Sequence, residues 1–301
     1  MDVFSAPSAE LPHDAGSPAQ ISRFVADIAQ RTPSVYNTSP WWFSASDTDM
    51  CVNADAERKL NLADPVGREL TISCGAAVFT ARVAMRNLGL VPRARVLPEP
   101  DSPNLIAKIG WAEERKPPSD YERKLFASIT ASRTHRGGFG SDRLPSGVMG
   151  ELLQQVGREH VGLRVMADDE RRTAVLTVVN AARSAFVLDD ARIKEASAWA
   201  APGGRGEGWG PLPLEQSAAP QSPGIVAILT TAADQRTDWV SAGQALQRLR
   251  LVAGLSGVAV AIDAEPLEFA HLRDFVSAEL VKPTRAQLVL RFGGVGKGNS
   301  T

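Results

Sequence analysis

The chain resembles itself, and that constrains its fold more than any other feature. Residues 74–90 read CGAAVFTARVAMRNLGL and residues 242–258 read AGQALQRLRLVAGLSGV. Gly75, Ala77 and Gly89 fall at the same spacing as Gly243, Ala245 and Gly257. In both segments apolar residues recur every three to four positions, which predicts two helices. The small residue near each start lets another backbone approach, and the last glycine suits a helix C-terminus. Farther along, LIAKIG (105–110) is echoed by LVLRFG (288–293), with Lys108 and Arg291 at the matching place. Each reads as a strand that follows the repeated helix. Two matches in the same order point to a duplicated α+β unit.

The remaining pattern predicts helices over 21–31, 68–89, 119–131, 147–157, 168–187, near 190–200 and over 236–255. Strand-like stretches fall at 41–53, 94–111, 162–167, 224–231 and 286–292. Helices and strands mix without a regular βαβ alternation, so the expected class is α+β. Residues 1–20 are rich in Ala, Ser and Pro and read as a flexible tail. A first half over 21–115 and a second over 116–301 follow from the repeat.

Charge narrows the functional classes. The chain has 301 residues, a net charge of −1 and no bias toward nucleic acid or an anionic membrane. No apolar run approaches the roughly 20 residues of a spanning helix. The N-terminus lacks the basic start and apolar middle of a signal peptide. Cys51 and Cys74 lie far apart, so a cytoplasmic, disulfide-free chain is expected. His13, His135, His160 and His271 show no metal-ligand spacing, and no metal site is expected.

The repeat is incomplete. TPSVYNTSPWWF (32–43) has no clear counterpart in the second half, where the corresponding offset holds a Gly-rich loop, PGGRGEGWGPLP (202–213). SRTHRGGF (132–139) has no counterpart in the first. In SRTHRGGF, Arg133, Thr134 and Arg136 gather two guanidiniums and a hydroxyl ahead of two glycines, a set suited to clamping phosphate. A solvated basic turn would use the same residues. TPSVYNTSPWWF suits a loop that packs Trp41 and Trp42 inward and turns Ser34 and Asn37 toward a planar ligand; a well-packed loop before an edge strand is the plainer alternative. There is no G-x-S-x-G, P-loop or strand-linked G-x-G-x-x-G. GGVGKGNS (293–300) reads as a frayed tail, and Asp168, Asp169 and Glu170 as a helix N-terminus. Glu265 and Glu268 flank Pro266 in what reads as a solvated turn.

TPSVYNTSPWWF resembles the A-P-S-x-x-N-x-Q-P-W segment of the nitroreductase superfamily, and SRTHRGGF its R-[ST]-x-R phosphate segment. Their order is the reverse of an ordinary nitroreductase and the chain is longer, as in the Acg-type proteins of actinobacteria, which are fused, degenerate nitroreductase dimers. The two repeated helices look like that family's long helices, and the likeness spans roughly 20–293.

The resemblance implies an FMN-binding nitroreductase-like fold: a monomeric pseudo-dimer with one composite site between its halves and the mirror site lost. It implies that Arg133, Thr134 and Arg136 contact FMN on one side and Pro33, Ser34, Asn37 and Ser39 on the other. It also implies that Trp41 and Trp42 anchor their loop, and that 202–213 forms a lid over the flavin. The implied activity is NAD(P)H-dependent reduction of nitro or quinone-type acceptors. FMN storage without turnover, or a scaffold that has lost flavin, are the alternatives. Three departures bear on the choice: Ser39 replaces a common Gln, Ser132 a common basic residue, and the usual C-terminal basic pair is missing, with Lys297 nearby.

Overall fold

A computed structural model describes residues 17–46, 49–112, 114–131, 134–136, 138–199, 208–210 and 222–294. Residues 1–16, Arg133, Lys297 and most of 202–213 therefore lie outside the described residues. The chain opens with α1 (Pro18–Ala29), three residues earlier than the apolar pattern predicts. The reason is local: Ser17 accepts from the Gln20 backbone, Gln20 caps Ser17 in return, and Pro18 takes the first turn.

The first half continues with β1 (Trp41–Ala45), β2 (Asp49–Ala54), α2 (Arg68–Asn87), β3 (Pro92–Val96) and β4 (Leu105–Trp111). The single strand-like stretch expected over 41–53 is thus a hairpin. Along β1 the faces alternate, so Trp41 is buried while Trp42 stays 39% exposed. Trp42 does not anchor the preceding loop as expected; Trp41 does, donating from its indole Nε1 to Gln30 Oε1 at 3.1 Å.

The second half holds α3 (Asp120–Ala131), α4 (Val148–Gly157), β5 (Gly162–Val165), α5 (Asp169–Val187), α6 (Asp190–Trp199), β6 (Ile225–Thr231) and α7 (Arg236–Leu255). It ends with β7 (Val258–Asp263), α8 (Glu265–Glu268), α9 (Ala270–Phe275) and β8 (Arg285–Gly294). β7 was not visible as a separate strand in the sequence.

The two sheets share one strand plan. Each half forms a four-stranded antiparallel sheet, ordered β1-β2-β4-β3 in the first and β5-β6-β8-β7 in the second. The echoed segments 105–110 and 288–293 lie in β4 and β8, equivalent inner strands. β2 and β6 each carry a register shift near the end that leads into the long helix, at Val52/Asn53 and Leu229/Thr230.

The two repeated helices, α2 and α7, cross at the centre. Of the 20 residues of α2, 17 are buried, so the helix is enclosed on nearly every side. Two of its buried hydroxyls are satisfied internally: Thr80 accepts from Thr32 and from Gln247, and Ser73 donates to the Glu69 carbonyl. At the crossing a Cβ on Gly75 would stand 2.3 Å from the Val240 carbonyl oxygen, and one on Gly243 would stand 1.9 Å from that of Ile72. Each glycine faces the residue three positions before the other. The contact is reciprocal between the two helices.

The halves differ in their connections. Residues 166–224 separate β5 from β6 and 264–284 separate β7 from β8, where the first half has only 46–48 and 97–104. Both insertions belong to the second half, and α5 packs on α8. A separate apolar cluster forms beneath them, with Val175, Val179, Leu267, Val276 and Val289. Among the described residues no helix is long and apolar enough to cross a membrane.

Candidate functional site

The turn at 33–39 is held from within. Pro33 and Ser34 are buried, and the Ser34 hydroxyl accepts from the Ser39 backbone at 2.8 Å. Asn37 donates its backbone N–H to the Ser34 carbonyl at 3.1 Å, and Val35 donates to Ser73 Oγ on α2, also at 3.1 Å. Three non-glycine residues take left-handed backbone here: Tyr36 at φ 48°, Asn37 at 57° and Ser39 at 43°. Such conformations persist only where the surroundings impose them, and they concentrate at binding sites. Asn37 and Ser39 are half-buried.

The segment around 134–136 lies beside β7, His135 donating its backbone N–H to the Val260 carbonyl. Thr134 Oγ1 accepts from Arg250 of α7 at 3.2 Å. Arg136 is half-buried and donates from Nη2 to the Gly208 carbonyl at 2.5 Å. Its Nε is buried without a hydrogen-bond partner among the described residues. Burial lowers its pKa.

Gly208–Gly210 joins the two sides. Trp209 pairs with Val35 as an isolated parallel bridge. The Trp209 N–H donates to Ser34 O at 3.0 Å, and its carbonyl accepts from Tyr36 N at 2.5 Å. A Cβ on Gly208 would come within 2.4 Å of Asn37 N. Gly210 has φ +136°, and a Cβ there would be 2.9 Å from the Tyr36 ring. The Trp209 side chain is 2% exposed and its Nε1 is buried without a partner among the described residues. The cavity left beside Thr134, Arg136, Trp209 and Glu265 holds about 20 Å³.

Beneath this junction lies a buried charged layer. Asp263, at the end of β7, pairs with Arg291 of β8 and Arg183 of α5, both at 2.7 Å. Glu265 and Glu268 are buried, not on the solvated turn their polarity and Pro266 suggest. The insertion 264–284 folds back over β8 and carries them under α5. Glu268 accepts from the Tyr36 hydroxyl at 3.2 Å and stands 3.5 Å from Arg192 of α6. Burial, then the nearby Glu69 and Glu265 carboxyls, raises the Glu268 pKa. Burial pushes Glu69 up to about 8, against the opposing pull of Arg68 at 2.8 Å. Burial, with Glu268 next, also raises the Tyr36 pKa.

Of the seven residues expected at the site, Ser34 and Asn37 meet Gly208–Gly210 from the turn at 33–39, where Pro33 and Ser39 also lie, and Arg136 meets Gly208 through its guanidinium. Thr134 is turned to Arg250, and Arg133 lies outside the described residues. Tyr36, Glu268 and Trp209 were not singled out for these contacts. The one signal for Glu268 is its apolar setting, with Leu267 before it and Phe269 after.

The chain matches no family model. It is 28% identical over 299 residues to a Mycobacterium tuberculosis protein named "Putative NAD(P)H nitroreductase Rv3131", covering 91% of this chain and 85% of that one. To "Putative NAD(P)H nitroreductase acg" of the same organism it is 25% identical over 299 residues, covering 91% and 88%. Among solved structures, a nitroreductase-titled protein from Anabaena variabilis superposes with a TM-score of 0.58. That match covers 88% of this chain and 82% of that one at 11% identity, a likeness of fold. The fold is the α+β fold of the nitroreductases. In sequence the chain is similar to putative NAD(P)H nitroreductases, acg among them.

Proposed function

We propose that the chain is an FMN-binding, nitroreductase-like oxidoreductase, a fused pseudo-dimer with one composite site between its halves. In this reading it uses NAD(P)H to reduce nitro or quinone-type acceptors. One observation carries it: Arg136 of the second half and the strained turn Ser34–Asn37 of the first converge on the same three residues, 208–210. The relatives' names supply the NAD(P)H nitroreductase class. The duplicated sheets and the reciprocal Gly75 and Gly243 contacts support the pseudo-dimer. The insertions support a single site, since the first half has no counterpart of 264–284.

The polar groups suit an anionic flavin: a half-buried cation whose Nε has no partner among the described residues, and a turn of small polar residues that meets the same segment. The cavity beside Arg136 and Trp209 holds about 20 Å³, the space of one water. When bound, FMN would supply the hydride and electron transfer itself. The chain's own contribution would be to clamp the cofactor and place cationic Arg136 beside it. A second reading, in which flavin is stored without turnover, would use the same clamp.

The test is the visible spectrum of the full-length protein after incubation with FMN and desalting, followed by NAD(P)H oxidation with a quinone acceptor. About one flavin per chain with steady turnover is expected of the oxidoreductase. A retained flavin that NAD(P)H reduces only slowly would select storage. A colourless protein at every FMN concentration would overturn both.

A further inference from the structure

A larger cleft lies toward the other end of β8. Arg291 borders the small cavity described above, and Arg285 borders the cleft. Six residues of extended chain separate them, about 20 Å at the rise of a strand. The cleft holds about 520 Å³, within the roughly 300–1,000 Å³ of small-molecule sites. Its walls are the loop 232–235 that leads into α7, the insertion 264–284 and the start of β8. The first half has no counterpart of that insertion, so the cleft is a feature of the second half alone.

The charges around it are of two kinds. Asp234 is already committed: it accepts from the Trp239 indole at 2.6 Å and from Gln287 at 3.2 Å, and Arg273 stands 3.6 Å away. Arg285 and Asp274 also line the cleft and are exposed. Neither side chain has an ion pair or hydrogen bond among the described residues. One open cation and one open anion therefore border the same space. Ser277 adds a hydroxyl. It is 6% exposed, and its Oγ accepts from the Ala286 N–H at 3.1 Å, which leaves its proton to donate. It sits in a π-helical turn, Val276–Leu280, a rare geometry that concentrates at functional sites.

We infer that this cleft binds a small zwitterion of the α-amino-acid type, its carboxylate met by Arg285 and its ammonium by Asp274. A guanidinium pairs well with a carboxylate because its planar donors match the two oxygens. A simple anion would gain Arg285 but face Asp274 and Asp234 uncompensated. A simple cation would gain Asp274 but face Arg285 and Arg273. Like charges brought together in this way select against both. The apolar lining is limited to Ala232, Ala233 and Pro283, so recognition rests on the charged ends. The inference is independent of the FMN reading, since none of the residues assigned to the composite site lines the cleft.

Two-dimensional NMR of the full-length protein at neutral pH tests it. The probes are the common L-amino acids, one at a time, with acetate and methylammonium as single-charge controls. The reporters are the Trp239 indole N–H, which Asp234 holds, and the amides of Ala233 and Ser277. At least one amino acid is expected to shift all three signals saturably and to bind about tenfold or more tighter than either control. Arg285→Gln and Asp274→Asn should each weaken that amino acid about tenfold or more, the scale of a lost hydrogen bond to a charged group. Both side chains are exposed, and an unchanged Trp239 indole signal in each unliganded variant verifies its fold. Absence of a saturable shift with every amino acid, to the limit of solubility, overturns the proposal. Acetate binding as tightly as the best amino acid overturns the zwitterion and leaves an anion site. Unchanged affinity in either variant overturns the assignment of that end of the ligand, and the zwitterion with it.

Discussion

Gly75 and Gly243 hold the same place on opposite helices, each under the carbonyl of the residue three positions before the other. No side chain fits at either point, because the backbones themselves are in contact. Gly243→Ala must push α2 and α7 apart along a crossing on which both halves depend. Overpacking of a core costs about 1–3 kcal/mol, and a contact against backbone belongs at the upper end. Gly157→Ala, at the end of α4 with nothing within 4 Å of an added Cβ, should instead stabilise by up to about 1 kcal/mol. Urea unfolding of the two variants checks the pair. A Gly243→Ala protein as stable as the wild type would mean that the helices do not approach this closely.

Ser34 was read as a group turned toward a ligand, yet its hydroxyl is committed to Ser39 N at 2.8 Å. Removing that acceptor leaves a backbone donor unsatisfied beside three left-handed residues. Ser34→Ala should cost about 1–3 kcal/mol. It should also speed amide exchange at Ser39 before anything else in the turn. Unchanged exchange at Ser39 would show that the turn is held by Val35–Ser73 and the Trp209 bridge without it.

The large-scale plan was legible because it is written in periodicity and spacing. Gly75, Gly243 and the echoed strands are local patterns that survive without a partner in view. The contents of the site were less legible, because they depend on where insertions fold. Glu265 and Glu268 stand in a polar, proline-marked stretch that reads as a turn, and only the return of 264–284 over β8 buries them. Trp42 reads like Trp41, but strand alternation sends one in and the other out. Trp209 sits in a glycine-rich stretch whose docking between Arg136 and Val35 joins residues more than 70 positions apart in sequence.

Arg136 has two partners in prospect, the Gly208 carbonyl and an anionic cofactor, so its role is best read where the first is gone. In a Gly208→Ala background, adding Arg136→Ala should weaken FMN binding by about 1.5–3 kcal/mol, the scale of a hydrogen bond to a charged group. Isothermal titration of single and double variants measures it. Arg136→Lys should recover part of the loss, since it keeps the charge but not the planar donor set. Equal affinities with and without Arg136 would remove it from the cofactor's reach.

The two halves are also tied by an ion pair whose effect depends on pH. Arg86 of α2 grips Glu122 of α3 through Nε at 2.8 Å and Nη2 at 3.2 Å. These bonds and those from Ser119 lower the Glu122 pKa from 4.5 to about 2. A carboxyl whose folded pKa is depressed adds stability above its unfolded value, and that stability fades as pH falls toward the folded one. Glu122 therefore contributes fully above about pH 4.5 and progressively less down to about pH 2. Glu122→Gln should cost about 1 kcal/mol at neutral pH, the usual scale for a partly exposed pair. The gap to wild type should narrow as the pH is lowered through 4. Glu69 has the opposite sign: its pKa is raised from 4.5 to about 8, so the wild type should lose stability as pH rises across that window. Thermal unfolding of wild type, Glu122→Gln and Glu69→Gln between pH 3 and 9 separates the two slopes. A Glu122→Gln deficit that stays constant down to pH 3 would mean that Arg86 does not hold the carboxylate charged.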